Sequence, residues 1–312
     1  MNEAPDRLLY MPKSLATMTF TGERLTSDVQ GDITFEHWHR YMYAESLCAG
    51  KDVLDIASGE GYGSALLGQV AKSVVGVDID ESAIAHAQAS YSSPSVTFRA
   101  GSATSIPADD QSFDLVTSFE TLEHFFEHDE FLHEVKRVLR PGGTFIVSSP
   151  NTTIYSGPFQ PINEFHRREV NFSEFTDLIQ RFFAHHLVLG QMNVTGNLIV
   201  PVGSAPDKSE LFNQHFDNRF GVYENGCPST FYIFVGSDEP LNGLSVSTLN
   251  AAHHNATRCV EALNHQNLVA SLRAEVDDLR SALSRERELT DDLRGIVRSA
   301  QQKPVSESST AG

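Results

Sequence analysis

The feature that most constrains this chain is the alternation, from Lys51 to Pro150, of short apolar runs with amphipathic segments. Asp52–Ala57, Ser73–Asp78, Val96–Ala100, Phe113–Phe119 and Thr144–Ser149 read as strands. Between them, Tyr62–Ala71, Glu81–Ser90 and Asp129–Leu139 carry apolar residues at helical spacing. Strand and helix alternating in this way imply βαβ units, which assemble into an α/β fold: a mostly parallel sheet with helices on both faces. Arg140-Pro141-Gly142-Gly143 reads as a turn that ends one helix and starts a strand.

The flanks differ. Residues 1–50 are a polar lead-in followed by a helix at Phe35–Leu47. Beyond Asn151 come a loop containing Pro and Gly, a helix at Ser173–Phe183 and a strand at His186–Asn193. The stretch 194–227 reads as irregular, and Phe231–Gly236 as a last strand, expected to pair antiparallel because a long insertion precedes it. The domain expected from these shifts covers 51–240, with 151–227 as an insertion that builds a pocket. Residues 241–302 are expected to form a helical segment. With a positions at Val269, Val276, Leu283, Thr290 and Val297 and d positions at Leu272, Leu279, Glu286 and Leu293, only Glu286 and Thr290 break an apolar seam. That pattern suits a short coiled coil, or a helix folded back on the domain. The tail 303–312 is low in complexity and expected to be disordered.

Charge and cysteine content narrow the function. The 312 residues hold 23 Lys and Arg against 41 Asp and Glu, a net charge of −18. From Glu239 onward the count is eight against ten, so the excess lies upstream. A domain this acidic repels a phosphate backbone, and no nucleic-acid partner is expected; the plainer consequence of the charge is solubility. No run approaches the roughly twenty apolar residues of a membrane span, and the N-terminus lacks a continuous apolar stretch of the secretory kind. Cys48, Cys227 and Cys259 form no CxxC pair, which argues against a disulfide framework or a thiolate zinc site. The expected location is cytoplasmic.

The chemistry begins where the first strand, Val53-Leu54-Asp55-Ile56, runs into Ala57-Ser58-Gly59-Glu60-Gly61-Tyr62-Gly63 and a helix. Glycines there let the backbone turn tightly and approach a ligand, at the usual nucleotide site of such a sheet. The dinucleotide spacing G-x-G-x-x-G does not fit glycines at 59, 61 and 63. Glu60 at the helix start would repel a pyrophosphate, whereas a ligand with sulfonium and ammonium groups meets no such conflict and is attracted by Asp55. Asp78 ends the next strand, where a carboxylate can accept both hydroxyls of a ribose.

These residues resemble the class I S-adenosylmethionine methyltransferases over Asp52–Asn151, in the ordered motifs LDIASGEGYG, VVGVDID, AGSATSIP, FDLVTSFETLEHF and KRVLRPGGTFIVSSPN. The resemblance implies a Rossmann-like, seven-stranded, mostly parallel sheet with S-adenosylmethionine as cofactor. It places Asp55, Gly59 and Gly61 by the methionine part, Asp78 on the ribose, and Ile79, Ser102 and Ala103 around the adenine, with Ala57 and Phe119 also lining the cofactor. Residues 1–50 would then cover the cofactor. Ser102 stands where family members often carry Asp, and Ala57 where glycine is frequent.

Glu120-Thr121-Leu122-Glu123-His124 follows the fourth strand, where a methyl acceptor would sit. Two carboxylates and an imidazole within five residues suit a general base or a divalent cation such as Mg²⁺ or Mn²⁺. The pattern is similar to that of the small-RNA 2′-O-methyltransferases and the ubiquinone-pathway O-methyltransferases. The former implies His166 as a further ligand, giving Glu120, Glu123, His124 and His166 as a metal set, with His124, Glu120 and Glu123 catalytic. Arg167 and Arg168 would grip a diphosphate or stand solvated; of His37, Trp38, His39, Arg40 and Tyr41, some should face the site.

Phe20-Thr21-Gly22-Glu23-Arg24 and Glu36-His37-Trp38-His39-Arg40-Tyr41 resemble a bacterial branch found beside glycosyltransferases in surface-polysaccharide clusters. That implies O-methylation of a sugar hydroxyl on a glycan or nucleotide sugar, with a glycosyltransferase partner or a homo-oligomer formed through 255–300. The alternatives are a small-molecule O- or N-methyltransferase of quinone or polyketide type, and a cofactor-binding scaffold acting through the coiled coil.

Overall fold

The structure, a computed structural model, describes residues 10–12, 14, 18, 24–27, 29, 31–156, 163–193, 210–214, 220–224, 229–241, and Val276 and Arg280. The chain divides into two units, Met1–Asn250 and Ala251–Gly312. In the second, Val276 and Arg280 are helical and exposed. The rest of the heptad pattern and the tail lie outside the described residues.

The first unit opens with α1 (Asp32–Glu45), β1 (Asp52–Ile56), α2 (Tyr62–Leu67), β2 (Ser73–Asp78), α3 (Glu81–Tyr91) and β3 (Val96–Ala100). It continues with β4 (Phe113–Ser118), a 3₁₀ turn (Leu122–His124), α4 (His128–Val138), β5 (Leu139–Pro150) and α5 (Thr152–Tyr155). Then come α6 (Phe172–Gln180), β6 (His185–Gln191), β7 (Glu210–Gln214), β8 (Phe220–Glu224) and β9 (Phe231–Ser237).

Seven strands form one sheet in the order β3-β2-β1-β4-β5-β9-β6. Neighbours from β3 to β5 pair parallel, and β9 alone runs against both β5 and β6. The mostly parallel sheet and its antiparallel last strand match expectation. Successive strand side chains face opposite ways, so Val53, Leu115 and Ile146 pack with Tyr41, Leu66 and Ile84 from α1, α2 and α3. Leu54, Val116 and Phe145 pack on the other face with Phe131 and Val135 of α4 and Phe175 and Ile179 of α6. The strand order reverses between β1 and β4, which opens a crevice at their carboxyl ends.

Three local expectations need correction. The first helix after β1 ends at Leu67 rather than Ala71, because the N–H groups of Gln69 and Val70 donate three residues back, to Leu66 and Leu67, and the α pattern tightens into a turn. Arg140–Gly143 does not precede its strand but lies within it. Phe113 pairs with Leu139 and Leu115 with Thr144, so the extra residues bulge out, helped by Gly142 at φ +74°. The stretch 194–227, read as irregular, contains the hairpin β7–β8, in register from Glu210 opposite Glu224 to Gln214 opposite Phe220. Among the described residues no helix is long and apolar enough to cross a membrane.

The roof of the crevice depends on the closeness of α1 to α2. A Cβ on Gly63 would lie 2.0 Å from the Tyr41 ring. Gly63→Ala should therefore destabilise the chain by about 1–3 kcal/mol through overpacking, seen as a lower urea midpoint at unchanged slope. An unchanged midpoint would contradict this packing.

Candidate active site

A cavity of about 770 Å³ opens along the carboxyl edge of the sheet. Ala57, Gly59, Asp78, Ile79, Ser102 and Ala103 line it past β1, β2 and β3, and Phe119, Glu120, Glu123 and His124 past β4. The loop after β5 adds His166.

The glycine turn is built by backbone geometry and one carboxylate. Ala57, Gly59 and Gly61 take left-handed φ values of +58°, +54° and +100°. Asp78 Oδ2 accepts the Gly59 N–H at 2.8 Å and Oδ1 the Asp80 N–H at 3.0 Å. A carboxylate has about four acceptor positions, so Asp78 retains capacity for ligand hydroxyls. Ile79 is 76% exposed, an apolar surface at the cavity wall. The Ser102 hydroxyl is engaged locally with Thr104, accepting its N–H at 3.2 Å.

Two sequence-derived roles change. Asp55 and Gly61 do not line the cavity. Asp55 is fully buried and accepts from Ser64 Oγ (2.6 Å), Thr117 Oγ1 (2.9 Å) and Tyr41 Oη (3.2 Å), because at its place in β1 the side chain points towards α1 and α2. Gly61 serves packing, since a Cβ there would lie 2.8 Å from Ala87. The Glu60 carboxylate is turned towards the N-terminal segment: it takes the Ser27 N–H, the Ser27 hydroxyl (2.8 Å) and the Tyr91 hydroxyl (3.2 Å).

At the other end, the ligating atoms of Glu123, His124 and His166 lie within 4.8 Å of one another. The His124 Nδ1–H donates to the Phe165 carbonyl (3.1 Å), which puts the lone pair on Nε2. His166 Nδ1–H donates to Glu169 Oε1 (2.6 Å), and its Nε2 accepts from Asn163 (2.9 Å). A carbonyl and a carboxylate behind the two rings are the outer-shell partners that orient metal-binding histidines. Glu123 is buried, neither of its carboxyl oxygens has a hydrogen-bond partner among the described residues, and burial, then the charge of Glu120, pushes its pKa well up. An orphaned carboxyl beside two oriented imidazoles fits a divalent cation, provided His166 Nε2 exchanges its Asn163 amide donor for the ion.

Glu120 stands outside that trio. Its Oε1 accepts from Ser148 Oγ (2.6 Å), its N–H donates back to the same oxygen (3.0 Å), and φ is +52°. Of the run His37–Tyr41, His37 and Tyr41 line the cavity, Trp38 packs against the core and Arg40 is buried. Arg167 and Arg168 are exposed and do not line the cavity; their backbone N–H groups bind the Glu123 carbonyl (2.6 and 3.1 Å). Tyr155, Asn163 and Phe231 also line it. No motif marked them, although Asn151, which caps α5 by accepting the Thr153 N–H, was a usable signal for the helix carrying Tyr155.

Residues 54–147 match the family described as methyltransferase domain. A probable S-adenosylmethionine-dependent methyltransferase of Mycolicibacterium smegmatis is 40% identical over 171 residues, 53% of this chain and 65% of the relative. A probable S-adenosylmethionine-dependent methyltransferase of Mycobacterium tuberculosis is 38% identical over 169 residues, 53% and 61% of the two chains. Phthiotriol/phenolphthiotriol dimycocerosates methyltransferase of the same species is 32% identical over 130 residues, 39% and 48%. Each match spans less than two thirds of the relative's own length.

Burial raises the Asp55 pKa to about 6 against the downward pull of its three hydroxyl partners. The folded chain thus binds this proton more tightly than the unfolded chain, where the group titrates near about 3.9. The stability contributed is complete below about pH 4 and is lost as pH rises through about 6, by up to about 3 kcal/mol. In urea titrations, Asp55→Asn should lose that pH slope; parallel wild-type and variant profiles between pH 4 and 7 would contradict it.

Proposed function

We propose that this chain is an S-adenosylmethionine-dependent methyltransferase that O-methylates a sugar hydroxyl of a glycan or nucleotide sugar, with a divalent cation at Glu123, His124 and His166. The observation that carries this is one cavity joining the Asp78 carboxylate and glycine turn to that trio. The methyltransferase-domain match over 54–147 covers the strands that supply both ends.

S-adenosylmethionine supplies, when bound, a methyl group activated by its sulfonium. Asp78 would hold ribose hydroxyls, and Ile79 would cover one face of the base. A divalent cation supplies Lewis acidity, which lowers the pKa of a hydroxyl bound to it. Glu120, held by Ser148 in the cavity wall, would take the hydroxyl proton as the acceptor oxygen gains the methyl group. Phe119, edge-on to Tyr41 at 4.9 Å, adds an apolar ring to the cavity wall and would limit water beside the transfer path. The heptad pattern supports a further part of the proposal, that 255–300 joins a glycosyltransferase partner or a second copy of this chain.

Activity with labelled S-adenosylmethionine should disappear on chelation and return with Mg²⁺ or Mn²⁺. His124→Ala and Glu123→Gln should each lower kcat by about 10²–10⁴ while calorimetry shows cofactor affinity unchanged. Full activity after chelation would remove the cation and leave proton transfer to Glu120 without it. Full activity in both variants would reject the site itself.

A further inference from the structure

We propose that the acceptor is uncharged: a polyhydroxyl face without phosphate or carboxylate, which selects a neutral glycan over a nucleotide sugar. This rests on the methyltransferase reading above.

Among the described residues, seven side chains lining the cavity are carboxylic acids, one is an arginine and none is a lysine. The arginine, Arg24, is committed to Asp80 at 2.5 Å. His37 adds no positive charge, because burial and then Arg40 hold its pKa well below the usual histidine range. Arg167 and Arg168, the pair that could have gripped a diphosphate, are exposed and outside the lining. A phosphate entering here would meet like charges in a partly desolvated space, where they act more strongly than in water.

The acceptor end has the opposite chemistry. Glu120, Glu123 and Glu127 line it, and carboxyl oxygens accept from hydroxyl donors that a sugar has and a phosphate dianion lacks. Glu123 provides the independent sign, a side chain 1% exposed in the cavity wall with neither oxygen partnered among the described residues. A divalent cation at the trio and the Arg40 guanidinium, 3.8 Å from Glu120 Oε1, would together bring three positive charges against those three carboxyl groups, an even balance that leaves no surplus for an anion. Apolar surface is present beside them. Tyr155 stacks on His166 with centroids 5.6 Å apart and an interplanar angle of 20°, and its ring also meets Phe231 at 5.6 Å. Aromatic surface next to carboxyl groups matches a sugar ring, with C–H groups on one face and O–H groups at its rim.

The test offers matched acceptors to the full chain with Mg²⁺ and labelled S-adenosylmethionine. Methyl glycosides of glucose, mannose, galactose and rhamnose are each set beside the sugar 1-phosphate and the nucleoside-diphosphate sugar. For at least one sugar, the neutral member should show kcat/KM about tenfold or more above its phosphorylated partners. Glu127→Lys, at an exposed position on the rim, should narrow that ratio. Comparable or faster turnover of a phosphorylated partner overturns the inference. So does failure of every neutral glycoside while calorimetry shows the cofactor bound, and in both cases the methyltransferase reading stands apart from it. Absence of cofactor binding overturns both.

Discussion

A single buried carboxylate joins the parts of this molecule that must stay in register. Asp55 is fully buried in β1 and takes hydroxyl groups from α2 (Ser64), β4 (Thr117) and α1 (Tyr41). Of those elements, α1 and α2 lend the cavity Tyr41 and Tyr62, and β4 leads directly into Phe119 in its wall. A charge in that position is costly to bury, and the raised pKa near 6 records the cost. Three hydroxyl donors offset part of it, and each comes from an element whose placement then ceases to be free. Tyr41 shows the consequence: it donates to Asp55, meets Phe119 edge-on at 4.9 Å, and lies so close to Gly63 that α2 accepts no side chain there. The cofactor turn and the acceptor wall are thus set by one strand residue that touches neither space.

The acceptor end has its own buried charge. The Arg40 side chain is wholly buried, donates to Gln191 Oε1 at 2.6 Å, lies 4.7 Å from the Phe231 ring centroid and 3.8 Å from Glu120 Oε1. Gln191 ends β6 and Phe231 begins β9, so one guanidinium ties the far edge of the sheet to the loop after β4. A buried arginine without a counter-charge is strongly destabilising, which gives Glu120 a structural duty beside any chemical one. Its left-handed φ, unusual outside glycine, is held by the two-way hydrogen bonding with Ser148. Strain of this kind persists only where the surroundings over-determine it.

The sheet was legible because its parallel strands are buried on both faces and read as continuous apolar runs. The strands around 52–56, 73–78 and 96–100 needed no tertiary information, and β9 only the length of the insertion before it. The hairpin β7–β8 was not legible, since its two five-residue strands sit in a stretch where Gly, Pro and polar residues hide any period. Cavity-lining residues at or a few positions past strand ends, such as Asp78, Ile79, Glu120 and Glu123, could be named because a parallel sheet gathers its carboxyl ends. Asp55 was misplaced by one step of the same logic: near a strand end the side chain still alternates, and position 55 points away from the crevice. Arg40, Tyr155 and Phe231 converge only through packing of α1, α5 and β9, and no spacing along the chain encodes that meeting.

The cofactor turn makes a stronger case than its sequence did. Glu60 seemed to exclude a pyrophosphate by repulsion, but its carboxylate is committed to Ser27 and Tyr91. The backbone supplies a better reason. A phosphate at such a turn needs free N–H groups, and here three are already taken: Ser58 by the Val77 carbonyl, Gly59 by Asp78 and Gly61 by the Ser58 carbonyl. The glycines therefore shape a turn that closes on its own strands and keeps few donors for an anion. A neutral ribose needs acceptors instead, and Asp78 has them; a sulfonium needs only the absence of competing positive charge. The same scarcity of lysine and arginine side chains extends past Glu120 to the far end of the cavity.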